Sequence, residues 1–357
     1  MDSLTRMTIG LLVLACAVAA VHAQPLENGS AGADGALVLT RAGTVLFNPQ
    51  AFNPPLNPSG DNVYHFTSIY IAKDVTVHLT SKNFQSPLFW LSQGSVQIDG
   101  IIDLNGGDGT PTPSIAGAGG YPGASPRRAG YYPEGFTPNV FLVPLVGGRG
   151  GDGGITQGGG AGGGALLLAS STSITINGAI TANGGASSDG RGGGGGAIRL
   201  VAPAIEGSGL VMAKGGSPGG PDGFVRFETL DNRFSGNLSN TPHGQGKPFG
   251  LFLPPSPQGS VRVVSVGNTA VRSQEFKISQ AAPVSVVIEA RYIPPGTVVQ
   301  LEFFPENGPS RVVETTPLEG TFQLSRATAS ITISGRSSSV QVRAVWKHPP
   351  LQGENQR

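Results

Sequence analysis

Apolar and polar positions alternate with a period of two along most of the chain. In "SITING", Ile174 and Ile176 point to one side of an extended segment, while Thr175 and Asn177 point to the other. Three stretches of the first region superimpose. One reads "LFWLSQ" (Leu88–Gln93), then "IDLNGG" (Ile102–Gly107). The next reads "ALLLAS" (Ala165–Ser170), then "ITANGG" (Ile180–Gly185). The last reads "AIRLVA" (Ala197–Ala202), then "VMAKGG" (Val211–Gly216). The offsets are 77 and 78 residues between the first pair, and 32 and 31 between the second. Each unit is therefore read as strand, polar turn, strand and glycine-rich corner. Such a unit cannot bury its apolar face alone, so successive units are expected to stack. Leu166, Leu168, Ile174, Ile176, Ile198 and Leu200 are expected to share the interior. No stretch sustains a 3.6-residue apolar period with helix caps.

The five glycines of "RGGGGGAIRLVAP", like "GGGAGGG" before Ala165, stand just ahead of a strand. That phasing predicts corners, where positive φ and close backbone approach favour glycine. A phosphate loop is excluded by the lack of "GxxxxGK[ST]" and of any helix behind the glycines.

The alternation from "FTSIYIAKDVTVHL" through "GSVQIDGIIDLNGG" and "GGGALLLASSTSITINGAITANGG" to "GGGGGAIRLVAPAIEGSG" resembles secreted bacterial proteins with right-handed parallel β-helices of the pectin-lyase-like class. The resemblance spans roughly residues 37–230 and implies a solenoid with a long grooved flank. It is poor in function, because that fold serves lyases, hydrolases, adhesins and passive surface proteins.

Composition divides the chain. Residues 147–223 hold 28 of the 56 glycines, and glycine thins out beyond about residue 259. The Pro/Gly-rich stretch 243–258 is read as a linker. Residues 259–347 show alternating runs such as Val284, Val286, Ile288 and Ala290, with turns "IPPGT" and "ENGPS". They predict a β-sandwich of immunoglobulin or fibronectin III size, and 348–357 a loose tail. The expected fold is thus all-β: a parallel β-helix over 24–242, carrying an insertion at 108–164, then the sandwich.

At the other end, "MTIGLLVLACAVAAVHA" is too short for a comfortable membrane span, and Val21 and Ala23 suit cleavage before Gln24. Residues 1–23 are read as a signal peptide and the mature protein as secreted or cell-surface. A lipid-modified Cys16 is the weaker alternative, since Leu14 fits a lipobox poorly. Cys16 is the sole cysteine, so disulfides, thiol catalysis and cysteine zinc sites are excluded from the mature chain. A net charge of +1 with 13% charged residues leaves no basic face for nucleic acid. No membrane span is expected in the mature chain.

Catalytic signals are faint. Asp99, Asp103, Asp108, Asp152, Asp189 and Asp222 are scattered, and the Asn-Thr-Asp, Asp-Asp and Gly-His-Gly signatures of pectin hydrolases are missing. Asp99 and Asp103 flank a turn and are read as capping groups. His65, His78, His243 and His348 lie far apart and assemble no triad or metal set. "GGRGGDGGI" (Gly147–Ile155) nearly matches a calcium-binding nonapeptide, but Gly154 replaces its apolar residue and no tandem copy follows. No catalytic residue, metal or cofactor is assigned.

The 57 residues of the insertion hold Tyr121, Arg127, Arg128, Tyr131, Tyr132, Phe136 and Phe141. Aromatic rings beside arginines suit sugar stacking or acidic polymers. The other reading has the aromatics folding back to cap the flank. Tyr121, Arg127, Arg128, Tyr131, Tyr132 and Phe136 are the candidate ligand-binding residues. The expectation is a non-catalytic structural or adhesive protein, or one contacting extracellular polysaccharide or cell-surface components. A polysaccharide lyase or glycosidase is the alternative.

Overall fold

The structure, a computed structural model, describes residues 25–57, 60–130, 139–254, 259–271, 275–278, 283–305, 311–332 and 338–345. Residues 1–23 and 348–357 lie outside these. Among the described residues the helical content is one 3-10 turn, Pro49–Ala51. None of their helices is long and apolar enough to cross a membrane.

Strands β1 (Gly35–Leu39), β2 (Gly43–Leu46), β3 (Val63–Ile71) and β4 (Val75–His78) open the chain. Sets of three follow: β5 (Leu88–Ser92), β6 (Val96–Ile98), β7 (Ile101–Asp103); β8 (Ala165–Ser170), β9 (Ser173–Ile176), β10 (Ala179–Thr181); β11 (Ala197–Val201), β12 (Ala204–Gly207), β13 (Leu210–Met212). β14 (Phe224–Glu228), β15 (Asp231–Phe234) and β16 (His243–Gly246) close the region.

The expected parallel β-helix with glycine corners is corrected by the strand pairing. The main sheet is one curled, parallel half-barrel of eleven strands, ordered β15-β12-β9-β6-β3-β5-β8-β11-β14-β16, with β1 also on β3. Nine-residue β3 is its hinge line. Val63–Phe66 pair with β5, whereas Ile69–Ile71 pair with β6. The first and second strands of each set therefore extend one sheet in opposite directions from β3. The third strands form a separate parallel sheet, β13-β10-β7-β4-β2. Both sheets enclose one apolar core, in which Leu166, Leu168, Ile174, Ile176, Ile198 and Leu200 are all fully buried.

The register corrects the repeat by one residue. Leu88 pairs with Leu166, an offset of 78, and does not align with Ala165. A slip of one residue would turn Leu88 and Trp90 to the opposite face, and Trp90 is completely buried inside. The later offsets of 32 at the unit start and 31 at its end match the pairing.

β8 and β11 are buried on both faces. Their outward residues Ala165, Leu167, Ala169, Ala197 and Val201 form a second cluster with Leu142 and Leu145. This explains why "ALLLAS" and "AIRLVA" are near-continuous apolar runs, as parallel strands covered on both sides are.

The glycine tracts run as straight segments of a hydrogen-bonded layer. Gly158, Ala161 and Gly164 donate to the carbonyls of Thr110, Gly107 and Leu104. Gly159 and Gly162 donate to Ala124 and Tyr121, and Gly160 and Gly163 to Arg191 and Gly194. Each successive amide thus faces a different neighbour, returning to the first after three residues. Three residues per turn is the period of the polyproline-II helix, which has no internal hydrogen bonds and must find partners outside itself. The segment Gly192–Gly196 does the same: Gly192 and Gly195 donate to Pro218 and Pro221, Gly193 and Gly196 to Gly185 and Ala182, and Gly194 to Arg149. Glycine is required here by close approach. None of Gly192–Gly196 has positive φ. A Cβ on Gly193 would overlap the carbonyl oxygen of Ala161, and one on Gly196 that of Gly164.

The second region forms two antiparallel sheets. Strands β17 (Ser260–Val266), β18 (Thr269–Ala270), β19 (Glu275–Ile278), β20 (Val284–Arg291), β21 (Gln300–Pro305), β22 (Arg311–Glu314), β23 (Glu319–Gly320), β24 (Ser325–Ile331) and β25 (Ser338–Val345) are ordered β18-β17-β20-β24-β23 and β19-β25-β21-β22. Val286 and Ile288 of the first sheet and Leu301 and Phe303 of the second belong to one buried cluster.

Candidate functional site

The insertion is built into the glycine layer. The stretch 104–125 runs beside Gly158–Gly164, and Tyr121 exchanges backbone bonds with Gly148 and Gly162. Tyr121 is half-buried and lines an open groove of about 520 Å³. The groove is walled by Val140, Leu142, Pro144, Val146, Pro221 and Pro242, with Asn139, Arg149 and Asp222 as its other polar side chains. Glycine backbone of Gly147–Gly148, Gly194–Gly196 and Gly223 also lines it, with Ala197 and Phe224.

Arg127 and Arg128 are not part of this groove. They form a turn at the end of the layer, where Arg127 N–H donates to Gly154 and the Arg128 carbonyl accepts from Gly153. Arg127 is exposed and adopts φ 59°. Tyr121 and the arginines are therefore brought into one layer but not into one pocket. Tyr131, Tyr132 and Phe136 lie outside the described residues. Phe141, exposed on the same insertion, packs edge-on to Phe249 with ring centroids 5.9 Å apart.

The six scattered aspartates each bind elements of the fold. Asp99 accepts from Gln97 and Asn177. Asp103 accepts from Asn105 N–H and lies 2.9 Å from His78 Nδ1. Asp108 accepts from Ala186 N–H, Asp152 from Gly130 N–H and Asp222 from Gly215 N–H. Asp189 accepts from Thr156 N–H, Thr156 Oγ1 and Gln157 N–H. The Thr156 amide, then its hydroxyl, hold the Asp189 carboxyl below its ordinary range. No two of these carboxylates share a partner. Asp152 of the calcium-like nonapeptide thus caps a backbone turn, while its neighbour Gly151 donates to Gly160 within the layer.

The histidines are equally dispersed. His65 Nδ1 accepts from Ala31 N–H, and His243 Nδ1 lies 2.9 Å from the Thr241 carbonyl. His348 is outside the described residues. Among the described residues no group of three His, Cys, Asp or Glu side chains could hold a metal.

Sequence reasoning missed a buried ionic cluster. Arg199 Nε and Nη2 donate to Glu228 at 3.0 and 2.9 Å, and Arg226 Nε donates to the same carboxylate at 2.7 Å. Arg199 is 1% exposed and Glu228 0%. β11 and β14 pair with Arg199 opposite Arg226, on the outward face of the half-barrel. The segment after β16 crosses this face. Phe249 lies 4.7 Å over the Arg199 guanidinium and 5.4 Å from that of Arg226, and the Gly250 carbonyl accepts from Arg199. Leu251 and Leu253 pack on the outward apolar cluster beside it. The available signal was a fourth copy, "FVRFE", laid over "AIRLV" at an offset of 27. Comparison of the chain with protein-family models, with curated proteins and with solved structures finds no match.

Proposed function

We propose that the protein is a non-catalytic structural or adhesive protein, secreted or held at the cell surface, which meets an extracellular polymer or cell-surface component along the Tyr121 groove. The employment of the six aspartates carries this reading. Acid–base cleavage of a polymer needs carboxylates free to exchange protons with a substrate, and each of these instead holds a turn or a neighbouring segment. The groove supplies apolar walls with a few polar groups, the composition of a binding cleft.

The test has two arms. The mature chain from Gln24 is incubated with pectin, alginate and neutral glucans, with reducing ends and unsaturated products measured. It is also tested for retention on the same polymers and on intact cell surfaces. Retention without product is expected. Robust, enzyme-dependent release of reducing ends would overturn the reading in favour of a lyase or glycosidase. Cell fractionation with N-terminal sequencing checks the location, and a mature N-terminus at Gln24 is expected.

A further inference from the structure

We infer that the outward face of the sheet β18-β17-β20-β24-β23 binds an acidic sugar of a polysaccharide, its carboxylate held by Arg262, Arg291 and Arg326 and its ring lying against Tyr292 and Phe322. The site shares no residue with the Tyr121 groove and is tested by variants of its own.

The cations are the first observation. β17, β20 and β24 are neighbours, and their pairing puts Arg262 and Arg326 on either side of Glu289. Arg291 follows two residues along β20, on the same face. The alternate residues Val286, Ile288 and Ala290 are fully buried, so this face points away from the core. All three arginine side chains are more than half exposed, and all three reach Glu289. Neutralising one carboxylate takes one cation. The others repel it and each other, and like charges brought together across strands destabilise a sheet. Glu319 stands opposite Arg326 on β23, which still leaves the face cationic. Folding does not account for this surplus, and an anion from outside complements it.

Glu289 also arranges the cluster. Arg262 donates to it from Nε and Nη2, and Arg291 and Arg326 donate from Nη2. A guanidinium carries five N–H donors in a planar fork, and these bonds occupy one or two of each. Side chains fixed in advance lose less freedom when a ligand arrives.

The rings complete the site. Tyr292, directly after Arg291, holds φ 55°, a region where bulky residues are uncommon. Its N–H donates to the Phe322 carbonyl, and the two rings meet edge-on with centroids 6.0 Å apart. Phe322 is 44% exposed. Ala290 pairs with Ser325, so the turn that carries Phe322 into β24 lies at the Arg291 end of the sheet. Flat apolar rings beside forked cations serve both halves of a uronic acid, the C–H face of its ring and its carboxylate. A phosphate or an acidic peptide would need the cations alone.

The probes are dye-labelled oligomers of galacturonate and of mannuronate, titrated with the full chain from Gln24 and followed by fluorescence anisotropy. Methyl-esterified oligogalacturonate and polyglutamate run in parallel. Saturable binding of at least one acidic oligomer is expected, roughly tenfold tighter than either control. Arg262→Gln with Arg326→Gln, and separately Phe322→Ala, should each weaken it by a similar factor. Arg311→Gln, which removes a cation from β22 of the other sheet, should leave it unchanged. Circular dichroism and melting check each variant's fold. Should the double variant unfold, Arg291→Gln replaces it, since Glu289 then keeps two partners. Absence of binding to both acidic oligomers overturns the inference. Equal binding of polyglutamate, or indifference to Phe322→Ala, means attraction to any polyanion and overturns the sugar class. Binding lost in Tyr121→Ala but kept in the arginine variants belongs to the groove, which supports the adhesive reading and overturns this site.

Discussion

At Gly163 the difference between a hydrogen and a methyl group decides whether the glycine layer closes. A Cβ there would overlap the carbonyl oxygen of Ala182, and no rotamer change can relieve a clash with backbone on both sides. Overpacking of this kind costs about 1–3 kcal/mol or more. Gly250, by contrast, has no atom within 4 Å of the built Cβ and does not have positive φ. Gly163→Ala is therefore expected to lower the unfolding midpoint in denaturant clearly. Gly250→Ala should be neutral or stabilising by about 0.4–1 kcal/mol, through lost freedom in the unfolded chain. Equal effects at both sites would mean that the layer is not packed as described. At the same scale, Trp90 shows how the register is held. Its ring is fully buried among Phe47 and Phe66, with centroids 5.3 and 5.9 Å away. Slipping β5 by one residue would move about 1.5–3 kcal/mol of burial per large side chain to the wrong face.

Elements read in isolation concealed their partners. β11 carries Arg199 at the centre of an apolar strand, and β14 carries Arg226 and Glu228 two residues apart. Parallel pairing sets these three groups together on a face that the segment Phe249–Leu253 then covers. A buried pair of this geometry is costly to break from one side only, because the remaining charge is left without compensation. Glu228→Gln is expected to destabilise the first region by about 3–5 kcal/mol, measured by urea unfolding. Replacing Arg199, Arg226 and Glu228 together by apolar residues of similar volume should recover much of that loss, because no buried charge is then left without a partner. A Glu228→Gln variant as stable as the parent would show that the cluster contributes no net stability. Phe249→Ala should raise proteolysis within 247–253, since the ring over the two guanidiniums anchors that crossing.

Across the whole molecule, the two regions bury charge differently. In the second, Glu289 is 5% exposed and is ringed by Arg262 at 2.7 Å, Arg326 at 3.3 Å and Arg291 at 3.5 Å. Burial alone would raise its pKa, but the Arg262 guanidinium, then Arg326 and Arg291, hold the carboxyl below its ordinary range. A group whose pKa is depressed by folding stabilises above its unfolded value, roughly 4.3, and loses that contribution as pH falls through the folded value. The second region should thus lose stability below about pH 4.3, and Glu289→Gln should flatten that dependence while lowering stability near neutrality. The arginines are more than half exposed, so salt should weaken the effect. A melting temperature whose fall between pH 5 and 3 is the same with and without Glu289 would remove this assignment.

What the amino-acid sequence determined by itself was everything carried by local pattern. The period of two along Ser173–Ile176 is a property of one strand, and it marked Ile174 and Ile176 as interior without any knowledge of neighbours. The near-constant spacing of "NGG" and "KGG" marked the pairing offsets of 78 and 31, because parallel strands in register repeat at the length of chain between them. The lack of helix followed from the same patterns. The tertiary structure alone decided how those strands close. Long β3 accepts β5 on one half and β6 on the other, so the sheet curls into a half-barrel instead of stacking as coils. Nothing in the residues of β3 states that division, which depends on where two distant strands land. Glycine was ambiguous for a related reason: a corner and a three-fold packed segment both demand a missing side chain, and only the neighbours' carbonyls tell them apart. The groove, too, exists only because Tyr121, Val146, Gly194 and Pro221 converge from four separate segments, a juxtaposition that spacing along one chain does not encode.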